Sequence, residues 1–139
     1  MSAKPTYLVD TNILLRFLMN DHPAHGAGAK RLFDGAAAGK LNLRIPFIAI
    51  TEAIFTLQGH YRIDRQDIGR ELLKLLNAPG VKLACPLWIL EAVETFRTKN
   101  VSFGDACVMA EAVEDQLVVA SFDRGLDKFL GLRRHEPKP

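Results

Sequence analysis

The stretch that most constrains this chain is Thr6-Tyr7-Leu8-Val9-Asp10-Thr11-Asn12. A short run rich in β-branched and aromatic residues stops abruptly at an acid, a hydroxyl and an amide. Such a run suits a buried strand, and the apolar residues from Ile13 to Leu18 continue as a helix. Asp10 therefore falls where a strand ends and a helix begins. In open α/β sheets that carboxyl edge is where ligands and chemistry collect. The question for the rest of the sequence is whether other acids return to meet it.

The pattern continues along the chain. A helix is expected over about 12–19, stopped at Asn20-Asp21-His22-Pro23 because proline forces the residue before it out of helical geometry. A second covers about 24–37, with Gly39 as its stop. Residues 41–45 alternate as a short strand that Pro46 closes. Ile50, Ile54 and Leu57 give a helix over 47–57 one apolar face. Glu52 lies beside that face, with Ile48 and Phe55 on adjacent turns, and is expected to be partly buried. Asp64 can cap a helix to about residue 76, with Ile68, Leu72 and Leu75 inward. A brief strand over 81–84 precedes a helix opened by Pro86 and running to about 96. Ser102-Phe103-Gly104-Asp105 opens another over 106–115, facing inward through Ala106, Met109, Ala110 and Val113. Leu117 to Ala120 reads as a buried strand and stops at Ser121-Phe122-Asp123, repeating the strand-then-acid pattern of Asp10. A short helix over 124–130 follows, and the polar segment 132–139 is expected to be a mobile tail. Strands alternating with helices imply an α/β fold with a mainly parallel sheet, helices on both faces, and one domain over 1–139.

Composition excludes several classes. The 139 residues carry 18 Lys and Arg against 16 Asp and Glu, a net charge of +2. That balance tolerates a polyanionic partner but lacks the strongly basic footprint of a nucleic-acid coat. Cys85 and Cys107 have no metal-ligand spacing and read as reduced, small apolar residues. No apolar run approaches the ~18 residues of a membrane span, and the N-terminus lacks secretion-signal features, so a cytoplasmic protein is expected. There is no Gly-rich Lys-Ser/Thr loop for ATP and no G-x-G-x-x-G for a dinucleotide.

Four carboxylates stand out by context: Asp10, Glu52, Asp105 and Asp123. If the parallel sheet sets the first and last strands side by side, Asp10 and Asp123 approach, and helices over that edge can bring Glu52 and Asp105. Two like charges ~4 Å apart repel by about 4 kcal/mol at an effective dielectric of ~20. Such a cluster therefore takes up protons or a divalent cation. Oxygen-only ligands favour Mg²⁺ or Mn²⁺ over Zn²⁺. One such ion can ready a water, and a second ~3.5–4 Å away can stabilise the leaving oxygen of a phosphodiester. Each acid also has a local reading. Asp10, like Asn12, can cap the first helix, and Asp123 can cap the last. Ser102-x-x-Asp105 resembles a capping box. Glu52 can be a solvated helix residue.

Taken together, Tyr7-Leu8-Val9-Asp10-Thr11-Asn12, Ile50-Thr51-Glu52, Phe103-Gly104-Asp105-Ala106 and Ser121-Phe122-Asp123 resemble the motifs of PIN-domain ribonucleases. In particular they resemble the VapC-like toxins of toxin–antitoxin pairs. The likeness spans nearly the whole chain, in the family's order. It implies a three-layer α/β/α fold with a central, mainly parallel sheet of four or five strands. It implies a Mg²⁺- or Mn²⁺-dependent endoribonuclease with Asp10, Glu52, Asp105 and Asp123 as its acidic site. Asp10 and Asp105 are then the first choices as direct metal ligands, with Glu52 and Asp123 completing the site directly or through water. Thr11, Asn12 and Ser121 match the polar residues that orient such acids. The resemblance further implies a homodimer and a small antitoxin partner.

Arg16, Arg97, Arg124 and Lys128 are candidates for RNA phosphate contacts, since most such bonds go to the backbone. Asp127, one turn past Asp123, reads as a surface acid, and Trp88 as a packing residue. His22, His25, His60 and His135 share no spacing and receive no catalytic role. Two rival readings stand beside the nuclease. A phosphatase of the haloacid dehalogenase type also begins strand-then-Asp, but it needs a second Asp where Asn12 stands. A PIN-like module that binds RNA or assembles without cutting is the non-enzymatic rival.

Overall fold

The computed structural model describes residues 3–139. Its order is β1 (Thr6–Leu8), α1 (Thr11–Met19), α2 (Pro23–Ala37), β2 (Asn42–Pro46), α3 (Phe47–Gly59), α4 (Arg65–Leu76), β3 (Val81–Ala84), α5 (Trp88–Thr98), α6 (Phe103–Glu114) and β4 (Val118–Ala120). A 3₁₀ helix (Arg124–Lys128) and β5 (Arg133–His135) complete it. This is the expected α/β class: every strand pairing is parallel. Most boundaries fall within one or two residues of the expectation, because capping residues mark them. Asp64 accepts from the Gln66 amide at the start of α4, Pro23 occupies the first turn of α2, and Asn20 ends α1 in the left-handed conformation at φ 52°.

The five strands, all paired in parallel, are split between two groups. β1, β2 and β3 form one three-stranded sheet and β4 and β5 a separate pair. β2 is central to the first, with Leu43 and Ile45 on one face at 0% exposure and Arg44 between them on the exposed face. Leu14, Ile50, Ile54, Leu72, Ile89, Val93, Phe96 and Phe103 fill the core around them. Two close approaches hold the helices. A Cβ on Gly69 of α4 would lie 2.5 Å from the Arg97 Cβ of α5. Gly80, at φ 78°, would place one 2.5 Å from the Ala36 carbonyl oxygen of α2.

The split corrects two expectations for one reason. β1 and β4 both read as buried strands, yet Leu8 is 66% and Val118 49% exposed. Each is an edge strand, because among the described residues β1 pairs only with β2 and β4 only with β5. Val113, expected to face inward, is likewise exposed at the end of α6. The last short helix is a five-residue 3₁₀ turn ending at Lys128. The segment expected as a mobile tail contains β5, whose Arg133, Arg134 and His135 lie opposite Val118, Val119 and Ala120. Among the described residues no helix is long and apolar enough to cross a membrane.

Candidate active site

The carboxyl ends of β1 and β2 lie on one edge because the strands are parallel and in register, Leu8 opposite Arg44. The Val9 amide extends the pairing by donating to the Arg44 carbonyl at 2.8 Å, and Val9 is buried. Asp10 is the next residue, at φ −80° and ψ 157°, the extended geometry of a helix N-cap. Its Oδ1 accepts from the Thr11 amide at 2.8 Å. β2 runs straight into α3 at the same edge, which carries Glu52 back over Asp10. The Thr11 hydroxyl donates to Glu52 Oε2 at 2.8 Å. Thr11 thus holds one acid with its backbone and the other with its side chain.

Asp10, Thr11 and Glu52 line a cleft of about 300 Å³ whose remaining walls are Leu8, Val9, Pro46, Ile48 and Ala49. Glu52 is exposed rather than partly buried. Its neighbours explain the correction: α3 buries Ala49, Ile50, Ala53, Ile54 and Leu57 and turns Ile48 and Phe55 outward at 59% and 53% exposure. The apolar residues beside Glu52 line an open surface, not a core.

The other two acids occupy the second half of the chain. Asp105 lies in the first turn of α6, where its amide donates to the Ser102 hydroxyl at 3.0 Å. Only this half of the capping box forms, and the Asp105 carboxylate takes no hydrogen bond from the described residues. Asp123 caps the 3₁₀ helix, its Oδ1 accepting from the Gly125 amide at 2.8 Å. The Ser121 hydroxyl accepts from the Asp123 amide at 3.0 Å. The structure therefore joins Asp10 with Glu52 and leaves Asp105 and Asp123 on their own elements. Among the described residues no three His, Cys, Asp or Glu side chains are grouped to hold a metal ion.

The pattern of the PIN domain matches residues 7–131, a span that holds all four acids. The chain belongs to the PIN domain family. PIN domains are in general nucleases that act with divalent metal ions. A comparison with curated proteins finds no match.

The donors that are assembled suit such an ion. Carboxylates from Asp10 and Glu52 are hard oxygen ligands, and Mg²⁺ commonly takes one or two carboxylates while keeping waters and substrate phosphates as its other ligands. Each carboxylate is tied through one oxygen, Oδ1 and Oε2, and the second oxygen of each makes no hydrogen bond with the described residues. The chemistry that a bound divalent ion supplies at such a site is water activation and leaving-group stabilisation. Thr11 hydrogen-bonds both carboxylates.

The remaining polar candidates are dispersed. Asn12 and Arg16 line a cleft between α1 and α2 with Ile13, Ala24 and His25. Arg16 donates to Asp21 at 2.8 Å, and Tyr61 donates to the same carboxylate; the two bonds hold Asp21 below the usual carboxylate range, Arg16 foremost. Arg97 pairs with Glu94. Arg124 reaches Glu136 at 3.4 Å. Lys128 lines a cleft between α5, α6 and the 3₁₀ helix. Trp88 packs edge-on against Phe47 at 6.1 Å.

Two residues escaped the sequence reading. Arg65 Nη1 donates to the carbonyls of Phe96, Lys99 and Val101, closing α5 and shaping the turn into the Asp105 helix. Arg134 grips Asp127, Ser121 and Glu136. No local pattern marks either, since their partners are main-chain oxygens or acids brought near by the fold.

Proposed function

We propose that this chain is a Mg²⁺- or Mn²⁺-dependent endoribonuclease, the toxin of a VapC-like toxin–antitoxin pair, with Asp10, Glu52, Asp105 and Asp123 as its acidic site. The observation that carries the reading is the Asp10–Thr11–Glu52 constellation: two carboxylates from distant segments, joined by one threonine at the carboxyl edge of a parallel sheet. Asp10 and Asp105 act as direct ligands, Glu52 and Asp123 complete the site, and Thr11, Asn12 and Ser121 orient them. Asp105 and Asp123 enter from the family motif rather than from contact with Asp10. RNA is the substrate, a small antitoxin the inhibitor, a homodimer the working form and the cytoplasm the compartment.

One observation favours a second reading, a PIN-like RNA-binding or assembly module without catalysis: no three acids are grouped among the described residues. Incubation of RNA with magnesium or manganese, and with a chelator, separates the two. The nuclease cuts only with metal, and Asp10→Asn or Asp105→Asn abolishes cutting while the far-ultraviolet dichroism stays intact. RNA retained uncut in every buffer selects the module. Metal also raises the melting temperature of the nuclease, because it binds only the native state, and the double variant Asp10→Asn/Asp105→Asn loses that rise. An undiminished rise in the double variant places the metal elsewhere.

A further inference from the structure

The C-terminal strand reaches back to the last acidic motif. Arg134 of β5 has a side chain only 11% exposed. Its Nε and Nη2 donate to the two carboxylate oxygens of Asp127 at 2.8 and 3.0 Å. Its Nη1 donates to the Ser121 carbonyl at 2.9 Å and to Glu136 Oε1 at 3.2 Å. One planar guanidinium thus ties together the exit of β4, the 3₁₀ helix and the segment after β5. Ser121 carries the connection onward. Its amide donates to the His135 carbonyl at 3.0 Å, and its hydroxyl accepts from the Asp123 amide. Arg134 therefore anchors the chain two residues before Asp123 and four residues after it.

Core packing does little to fix this loop. Phe122 is 74% and Leu130 102% exposed, and Leu126 is the one buried side chain between 121 and 130. Hydrogen bonds must set its shape, and those of Arg134 are the ones that span it. We propose, resting on the nuclease reading above, that Arg134 is the positioning residue for Asp123: the guanidinium aims that carboxylate without itself touching RNA. A lysine cannot substitute, since a single ammonium cannot reproduce a two-pronged grip on Asp127 together with a bond to the Ser121 carbonyl.

The test uses the full chain with Arg134→Gln, Arg134→Lys, Asp123→Asn and the double variant Arg134→Gln/Asp123→Asn. Amide hydrogen exchange is followed by NMR at Asp123 and Gly125, with α6 as the internal reference. Arg134→Gln is expected to speed exchange at both amides by about tenfold or more, corresponding to about 1.4 kcal/mol, with α6 unchanged. Steady-state RNA cleavage supplies the second readout. Positioning through Asp123 predicts a kcat loss at nearly constant KM, little rescue by Arg134→Lys, and no further loss when Arg134→Gln is added to Asp123→Asn. Unchanged exchange at Asp123 and Gly125 overturns the proposal. So does an equal kcat loss in both backgrounds, the mark of a purely structural brace. A wild-type chain that does not cut RNA with metal overturns the nuclease reading, while the exchange measurement still decides whether Arg134 orders Asp123. If Arg134→Gln does not fold, Asp127→Asn carries the same exchange test: faster exchange at Gly125 supports the proposal, and no change overturns it.

Discussion

Replacing Thr11 by valine removes one hydroxyl and nearly conserves volume. The backbone bond from the Thr11 amide to Asp10 survives, so the perturbation falls on Glu52 alone, whose Oε2 loses a donor at 2.8 Å. A hydrogen bond to a charged group contributes roughly 1.5–3 kcal/mol. Here the bond lies in an exposed cleft, and water can replace the lost donor. The expected stability loss is therefore about 1 kcal/mol or less, a fall of about 3–5 °C in Tm for a chain this long. The effect on metal is larger in proportion. Loss of a partner that orients a ligating group typically costs 10–100-fold in metal affinity, or about 1.4–2.7 kcal/mol. Manganese titration by calorimetry, paired with urea unfolding of the metal-free protein, measures both. The expected result is a 10–100-fold weaker manganese site in Thr11→Val, near-native binding in Thr11→Ser, and a small change in urea midpoint. Manganese bound by Thr11→Val as tightly as by wild type would refute the orienting role.

Three further outcomes follow from the packing. Arg65→Met leaves the carbonyls of Phe96 and Val101 without their side-chain donor, takes from the Lys99 carbonyl one of its two donors (the Val101 amide remains at 3.0 Å), and removes a guanidinium 4.8 Å from the Phe96 ring centre; the expected loss is about 2–4 kcal/mol in urea unfolding. Gly69→Ala sets two effects against each other, since helix propensity favours alanine by about 1 kcal/mol while overpacking costs about 1–3 kcal/mol. The Arg97 Cβ at 2.5 Å from the new methyl cannot swing away like the tip of a side chain, so net destabilisation is expected, read from the same unfolding curves. Burial pushes the Cys107 thiol up to about 12, against about 8.5 in an unfolded chain. The raised native value favours the protonated, folded form, so this contribution is complete below about pH 8.5 and is lost as pH rises toward 12. Iodoacetamide at pH 8 should accordingly modify Cys107 far more slowly in the native protein than in urea.

What the sequence disclosed, and what it withheld, follows the range of the interactions. Caps act within a few residues, which is why Asp64 and Ser102 mark their helices correctly from local spacing. The apolar face of α3 was equally plain, because a period of 3.6 is a local property. Exposure of β1 and β4 was not, since it depends on which strands pair, and an apolar run reads the same at an edge as in the middle of a sheet. Glu52 shows the same limit at one residue: apolar neighbours suggested burial, but Ile48 and Phe55 face outward with it. Arg65 and Arg134 were invisible for a related reason. Arg65 binds carbonyls thirty-odd residues away, and Arg134 binds an acid seven residues back and a carbonyl thirteen residues back across a turn, so neither leaves a helical or strand spacing to read. The proposed acidic set came from the order of four motifs, and the structure joins the first two through a hydroxyl that the sequence had placed among the supporting polar residues.

Local capping and site chemistry do not compete for these acids, because they use different atoms. Asp10 caps through Oδ1 and Asp123 caps through Oδ1, and neither Oδ2 accepts a hydrogen bond from the described residues. A cap bond freezes the torsion of a short side chain and so fixes where the second oxygen points. Asp105 differs: its amide is the capped group, and its carboxylate is left without any such bond. The three aspartates thus fall into two kinds, two aimed by their own helix starts and one free to turn. Aspartate is suited to the first kind, because a glutamate has one more rotatable bond between the cap and the ligating oxygen. Asp10→Glu should therefore weaken manganese binding even though charge and ligand chemistry are retained, whereas Asp105→Glu should be tolerated better. Calorimetric titration of both variants decides it, and equal losses would show that aim by capping plays no part in the site.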